Sequence, residues 1–220
     1  MNVGFRALAA LLDYPSEPLR ANLGEVAAAL SALDRTAAAA VAPLLAMLRD
    51  GDLLDLQENY IDTFDRGRRT SLNLFEHVHG DSRDRGQAMV DLLAMYRAAG
   101  LELDTEQLPD YLPAFLDYLA LLDAAAAREQ LAEIAHILQS IRAALARRGS
   151  AYVAAFDALL ALAGEAPVAE AADDEDDTTP AAIDAAWVDA PVNFLDAPAP
   201  CGTSRPQPRE QAIHVHRRAA

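Results

Sequence analysis

At 220 residues and 23.6 kDa the chain can bury a full core and reads as one domain with an appendage. Apolar residues make up 52% of it but aromatics only 6%. The shortfall is alanine, a small, strong helix former that suits closely approaching helices better than a sheet sandwich. The formal net charge of -16, with arginine as the sole basic residue type, excludes the basic footprint of a nucleic-acid binder and favours a positively charged partner.

The N-terminal stretch carries a short apolar run ended by Asp13 and Pro15, too short for the core of a signal peptide. No uninterrupted apolar run reaches the roughly 18 residues needed to span a membrane, so direct membrane insertion is not expected. The single cysteine, Cys201, excludes an internal disulfide framework, and the cytoplasm is the expected compartment.

Apolar stripes at helical spacing then follow one another. Leu19, Leu23, Val26, Leu30 and Leu33 form the first. Val41, Leu44, Leu45 and Leu48 form the second, with Pro43 suited to a first turn. Leu53, Leu56, Tyr60 and Phe64 come next. After them run Met89, Leu92, Leu93 and Tyr96, and then Leu112, Phe115, Leu116 and Leu119. The longest stripe is Leu131, Ile134, Ala135, Leu138, Ile141 and Leu145, and Val153, Phe156, Leu159 and Leu160 close the series. Gly51, Gly100 and Gly149 each follow a basic last turn, as at helix C-termini. Asp81 suits a helix start. No segment alternates with period two. The prediction is an all-α fold, a single multi-helix bundle over residues 1–164.

From residue 165 the character changes. Residues 165–220 hold eleven acidic and four basic side chains and carry -7, which leaves -9 on the rest. Pro180, Pro191, Pro198, Pro200, Pro206 and Pro208 preclude a long helix. This acidic, proline-rich tail is predicted to be mostly disordered, with one apolar island, residues 187–195 (WVDAPVNFL), as a candidate docking segment.

Function is sought in residues 60–93, YIDTFDRGRRTSLNLFEHVHGDSRDRGQAMVDLL, which interrupt the alanine-rich pattern. His77, His79 and Asp81 have a spacing seen in metal sites and leave a helical metalloenzyme open as an alternative. In hydrolases of that type a further histidine follows, whereas Ser82 and Arg83 stand here. Arg66, Arg68, Arg69, Arg83 and Arg85 interleave with Asp62, Asp65, Glu76, Asp81 and Asp84, and read mainly as an ion-pair network fixing a loop. Neither a glycine-rich phosphate cradle nor a nucleophile with its base stands out. What remains is recognition. Tyr60, Phe64, Leu72, Leu74, Phe75, Tyr111, Phe115 and Tyr118 supply apolar bodies flanked by acids, as a groove for a basic amphipathic peptide would. Phe64 and Phe115 read rather as core. Tyr111 and Tyr118, seven apart, could line a groove with wet hydroxyls.

The same segment, together with LDTEQLPDYLPAFLDYLALL, resembles the signature regions of the NarJ-type assembly chaperones of respiratory nitrate reductase, in the wider TorD-like group of all-helical proteins that serve molybdenum enzymes. AAWVDAPVNF in the tail is similar to a late Trp…Pro-Val-x-Phe stretch of these proteins. Where the wider group often shows Glu-Pro-x-Asp-His, this chain reads Gln107-Leu108-Pro109-Asp110-Tyr111, so that only Asp110 holds. The resemblance implies a TorD-like bundle and a non-catalytic role. Such a chaperone binds the apo catalytic (alpha) subunit of nitrate reductase, including its N-terminal peptide. It assists insertion of the molybdenum cofactor into that client, in concert with cofactor-loading proteins, and delays membrane docking. No stably bound cofactor or metal is implied. The residues expected to form the client-binding neighbourhood are Tyr60, Phe64, Phe75, Glu76, His77, His79, Asp81, Asp84, Asp110, Tyr111, Phe115 and Tyr118. An unrelated helical peptide-binding scaffold is the remaining alternative.

Overall fold

A computed structural model describes residues 2–78, 83–103 and 107–168, and among these residues every regular element is helical. Eleven α-helices occur: α1 (Val3–Leu11), α2 (Glu17–Ala21), α3 (Leu23–Leu33), α4 (Arg35–Ala40), α5 (Ala42–Asp50), α6 (Leu53–Phe64), α7 (Arg83–Ala98), α8 (Leu112–Leu119), α9 (Ala124–Glu133), α10 (Ala135–Arg147) and α11 (Val153–Ala163). Two 3-10 turns, Arg68–Thr70 and Leu74–Glu76, lie between α6 and α7. The tail island at 187–195, and with it the tail beyond residue 168, lies outside the described residues.

The helix starts are capped as their residue types dictate, each side-chain oxygen accepting from a backbone N–H that has no partner inside its helix. Asn2 serves α1, Ser16 α2, Asp34 α4, Asp52 α6 and Asp123 α9. Arg20 works at the opposite end of another helix. Its guanidinium donates to the carbonyls of Arg49 and Gly51 (3.3 and 3.0 Å), closing the C-terminus of α5 from α2. Gly164 ends α11 in the left-handed region (φ 84°), which an L side chain adopts only with strain.

Three helices are buried on most of their circumference and form the centre. In α11, Ala154, Ala155, Phe156, Ala158, Leu159, Leu160 and Ala163 are all buried; in α8 all residues but Asp117 are; in α1 Gly4, Phe5, Ala7, Leu8, Ala9 and Leu11 are. The first of these packs on α4, α5, α9 and α10, and α1 lies between α3 and α8. Small residues set the spacing. A Cβ at Gly4 would run into the Leu33 side chain, so this glycine is what lets α1 and α3 approach. The chain start is tied in as well, because Asn2 N–H donates to the Ala120 carbonyl at the end of α8 (2.7 Å).

The predicted stripes are borne out as faces, but two of them are divided, and a third begins at a break. Asn22 separates α2 from α3, Val41 separates α4 from α5, and Ile134 (φ -95°, ψ 6°) separates α9 from α10. Each break lets the chain change direction around the core.

α7 is held differently. Tyr96 is fully buried, with its hydroxyl donating to the Pro109 carbonyl (2.8 Å) and its ring 5.2 Å from that of Tyr118. Leu92 and Met95 lie half-buried against the core, while Val90 remains 60% exposed.

Candidate functional site

Part of the set singled out in the sequence, Phe75, Glu76, His77, Asp110 and Tyr111, lies where three segments meet: the loop 71–78, the strip 107–111 ahead of α8, and the first turn of α7. A single antiparallel bridge joins the first two, pairing Asn73 with Tyr111. Around it Leu74 N–H donates to the Asp110 carbonyl (2.9 Å) and Leu112 N–H to the Leu72 carbonyl (2.8 Å). His77 closes its own loop, with Nε2 2.9 Å from the Ser71 carbonyl oxygen. Ser71 Oγ in turn accepts from Asn73 N–H (3.2 Å).

Asp110 is the hub. Its side chain is fully enclosed, yet Oδ2 accepts from Phe75 N–H (3.1 Å) and lies 3.9 Å from Arg85 Nη2 of α7. The same guanidinium nitrogen is 3.7 Å from Glu76 Oε1. Burial pushes the Asp110 carboxyl above the usual carboxylate range, opposed by the Phe75 N–H and by Arg85. Sequence reasoning selected Asp110 and Glu76 but left Arg85 among the loop-fixing arginines; its place three residues into α7 was the available signal.

A second polar cluster adjoins through Tyr111. Its hydroxyl is 3.0 Å from that of Tyr60 and donates to Asp13 Oδ1 (3.3 Å), while the Tyr60 hydroxyl donates to the Leu12 carbonyl (2.9 Å). The exposed ring of Tyr14 stands edge-on to Tyr60, with centroids 5.5 Å apart. Burial raises the pKa of both tyrosines far out of the physiological range, so their hydroxyls stay neutral. Asp13 and Tyr14 were missed in the sequence. They follow the first apolar helix directly, where a Asp-Tyr-Pro turn reads as a simple helix stop.

The large apolar bodies are mostly interior. Tyr60, Phe64, Leu72, Leu74, Phe115 and Tyr118 are 3–7% exposed and belong to the core. For Phe64 and Phe115 this is the reading the sequence favours. The Tyr118 ring is likewise enclosed with α8 and lies near those of Tyr96 and Phe115. Phe75, Glu76, His77 and Tyr111 are half-buried and reach the surface beside Val78 and Leu108, which are 52% and 48% exposed. His79 and Asp81 lie outside the described residues, and Asp84 is placed only as part of the α7 backbone. Among the described residues no group of three or more His, Cys, Asp or Glu side chains is placed to hold a metal ion.

This part of the chain is fixed more by hydrogen bonds than by ion pairs. Arg66 meets Asp62 one turn back in α6 (3.1 Å). Arg148, just past the end of α10, donates to the Thr63 carbonyl and to Thr70 Oγ1 (both 3.1 Å), and Thr70 Oγ1 itself donates to the Thr63 carbonyl, so the loop after α6 is anchored to the adjoining end of α10.

Comparison with known proteins places this geometry. Residues 30–158, which contain the site apart from Leu12, Asp13 and Tyr14, match the nitrate reductase delta subunit family. The chain belongs to that family. It is 47% identical over 216 residues to the nitrate reductase molybdenum cofactor assembly chaperone NarJ of Escherichia coli K12, covering 94% of this chain and 88% of that protein. Against the probable assembly chaperone NarW of the same strain it is 42% identical over 206 residues, covering 91% and 87%. The probable NarJ of Bacillus subtilis is 28% identical over 160 residues, covering 72% and 87%. The described residues contain no helix long and apolar enough to cross a membrane.

Proposed function

We propose that this family member is an assembly chaperone that binds the apo catalytic subunit of nitrate reductase in the cytoplasm, including its N-terminal peptide. It keeps that client ready for insertion of the molybdenum cofactor by loading proteins and delays its docking at the membrane. The observation that carries the reading is the 47% identity to a chaperone of that name across nearly the full length of both chains. The physical character of the molecule supports it. An acidic helical bundle attracts a basic segment at long range, and apolar surface next to carboxylates then holds an amphipathic one.

Within the proposed client-binding neighbourhood the side chains divide by depth. Phe75, Glu76, His77 and Tyr111 contact the client, with His79, Asp81 and Asp84 on the same stretch of chain. Tyr60, Phe64, Phe115 and Tyr118 support that surface from beneath, and Asp110 joins its two loops. The molybdenum cofactor is cargo for the client and is not held by this chain. Among the described residues no side chains are grouped as a metal site would need, and His77 Nε2 faces a backbone carbonyl.

Deleting the gene in its own host tests the proposal. The catalytic subunit is expected to accumulate without its molybdenum cofactor and without nitrate reductase activity, both restored by the cloned gene. Full cofactor occupancy in the deletion strain would refute it.

A further inference from the structure

Among the described residues two buried side-chain oxygens have no hydrogen-bond partner, Asp110 Oδ1 and Tyr152 Oη. Tyr152 is neutral and sits among rings, with Phe64 at 4.9 Å and Tyr60 at 6.0 Å, so one unmade hydrogen bond is the whole of its cost. Asp110 is a different case. An enclosed carboxylate is tolerated when a cation and several donors surround it, and its nearest cation is poorly seated.

Arg85 stands 3.9 Å from Asp110 and 3.7 Å from Glu76, beyond hydrogen-bond reach of either. A well-formed arginine–carboxylate pair closes to roughly 2.8 Å with two parallel bonds. Arg85 also lies in the first turn of α7, where the helix dipole repels a positive charge. Two carboxyl groups thus share one guanidinium that is hydrogen-bonded to neither, and one buried carboxyl oxygen is left without a partner.

The surroundings suit a particular guest. Val78 follows Glu76 by two residues and Leu108 precedes Asp110 by two, and both are about half exposed. Apolar surface therefore lies on both loops that carry the carboxylates. We propose that Arg85 is an internal stand-in for an arginine of the client segment. On binding, the client guanidinium takes Asp110 Oδ1 and Glu76, its apolar residues cover Val78 and Leu108, and Arg85 swings out to solvent. The inference rests on the chaperone reading above and names the chemistry of that site: a bidentate subsite for arginine, kept closed by a weakly held arginine of the chain itself.

Titration calorimetry of the full chain with a synthetic peptide of the client's N-terminal segment tests it through the sign of two substitutions. Arg85→Gln is expected to tighten binding by about threefold, because the competitor is removed from an unfavourable helix position. Asp110→Asn is expected to weaken it by about tenfold, the loss of one charge-assisted pair. A peptide with citrulline in place of arginine should bind wild type and Asp110→Asn equally. Thermal melts check that the variants fold, and Glu76→Gln, on a side chain 24% exposed, replaces Asp110→Asn if that variant does not. Weaker or unchanged binding by Arg85→Gln overturns the inference, because a merely structural ion pair weakens when either partner is lost. Equal losses with the arginine and citrulline peptides overturn it too. If no variant binds any peptide, peptide capture itself falls, and this inference with it.

Discussion

The centre of the bundle and the junction around α7 are built on opposite principles. α1, α8 and α11 are enclosed by apolar side chains, and alanine and glycine set how closely they approach. α7 is anchored by one buried tyrosine, two half-buried aliphatic side chains and a loose ion pair to Asp110. In the first region shape is decided by volume, which is unforgiving. In the second it is decided by a few polar contacts that can be exchanged for others. Partner-binding surfaces are drawn from regions of the second kind, and Phe75, Glu76 and Val78 reach the surface there.

This contrast can be broken by substitution. Phe156, fully buried in α11, has no room to relax around a cavity, and Phe156→Ala is expected to cost about 4 kcal/mol in urea unfolding. Gly4→Val should cost about 2 kcal/mol by forcing α1 away from Leu33. At the junction the effects should be smaller. Tyr96→Phe leaves the Pro109 carbonyl without its donor, a loss of about 1 kcal/mol. Val90→Ser, on the exposed face of α7, should change stability by less than about 0.5 kcal/mol. A junction substitution costing as much as Phe156→Ala would remove the distinction between the two regions.

A pH series sharpens the same comparison. Burial raises the Asp110 carboxyl pKa above its ordinary 3.8, so the folded chain holds that proton more tightly than the unfolded chain does. Its contribution to stability is therefore fully present below 3.8 and is lost as pH rises through the folded value. Asp117 acts in the same direction, with burial as the main cause and Arg6 opposing it. Asp110→Asn should flatten the decline of stability from the ordinary carboxylate range upward, with unfolding curves at about pH 4.5 and about pH 7.5 as the measurement. An unchanged decline would mean that Asp110 is fully compensated at neutral pH.

Much of the fold was legible because apolar spacing of three and four reports a helix face directly. What spacing could not show was where a face is divided. Asn22, Val41 and Ile134 turn the chain without proline or glycine, through backbone angles that tertiary packing selects. The enclosure of α8 was half legible: Leu112–Leu119 holds a single charged residue, Asp117, which argues for burial on every side and hence for a buried Tyr118. The candidate site was legible as a segment and not as a geometry. Nothing in Gln107–Tyr111 says that Asp110 is enclosed, since the loop that covers it lies more than 30 residues away in the chain, at Phe75. The role of Arg85 depends on distances to Glu76 and Asp110 and was out of reach for the same reason.

The most direct measurement is co-purification of the full chain, carrying an affinity tag, from its own host grown under conditions that induce nitrate reductase. Recovery of the catalytic subunit lacking its molybdenum cofactor, in a complex that dissociates more readily as salt is raised, is the expected result. Recovery of the tagged chain without that subunit, or with only its cofactor-loaded form, would contradict the chaperone function.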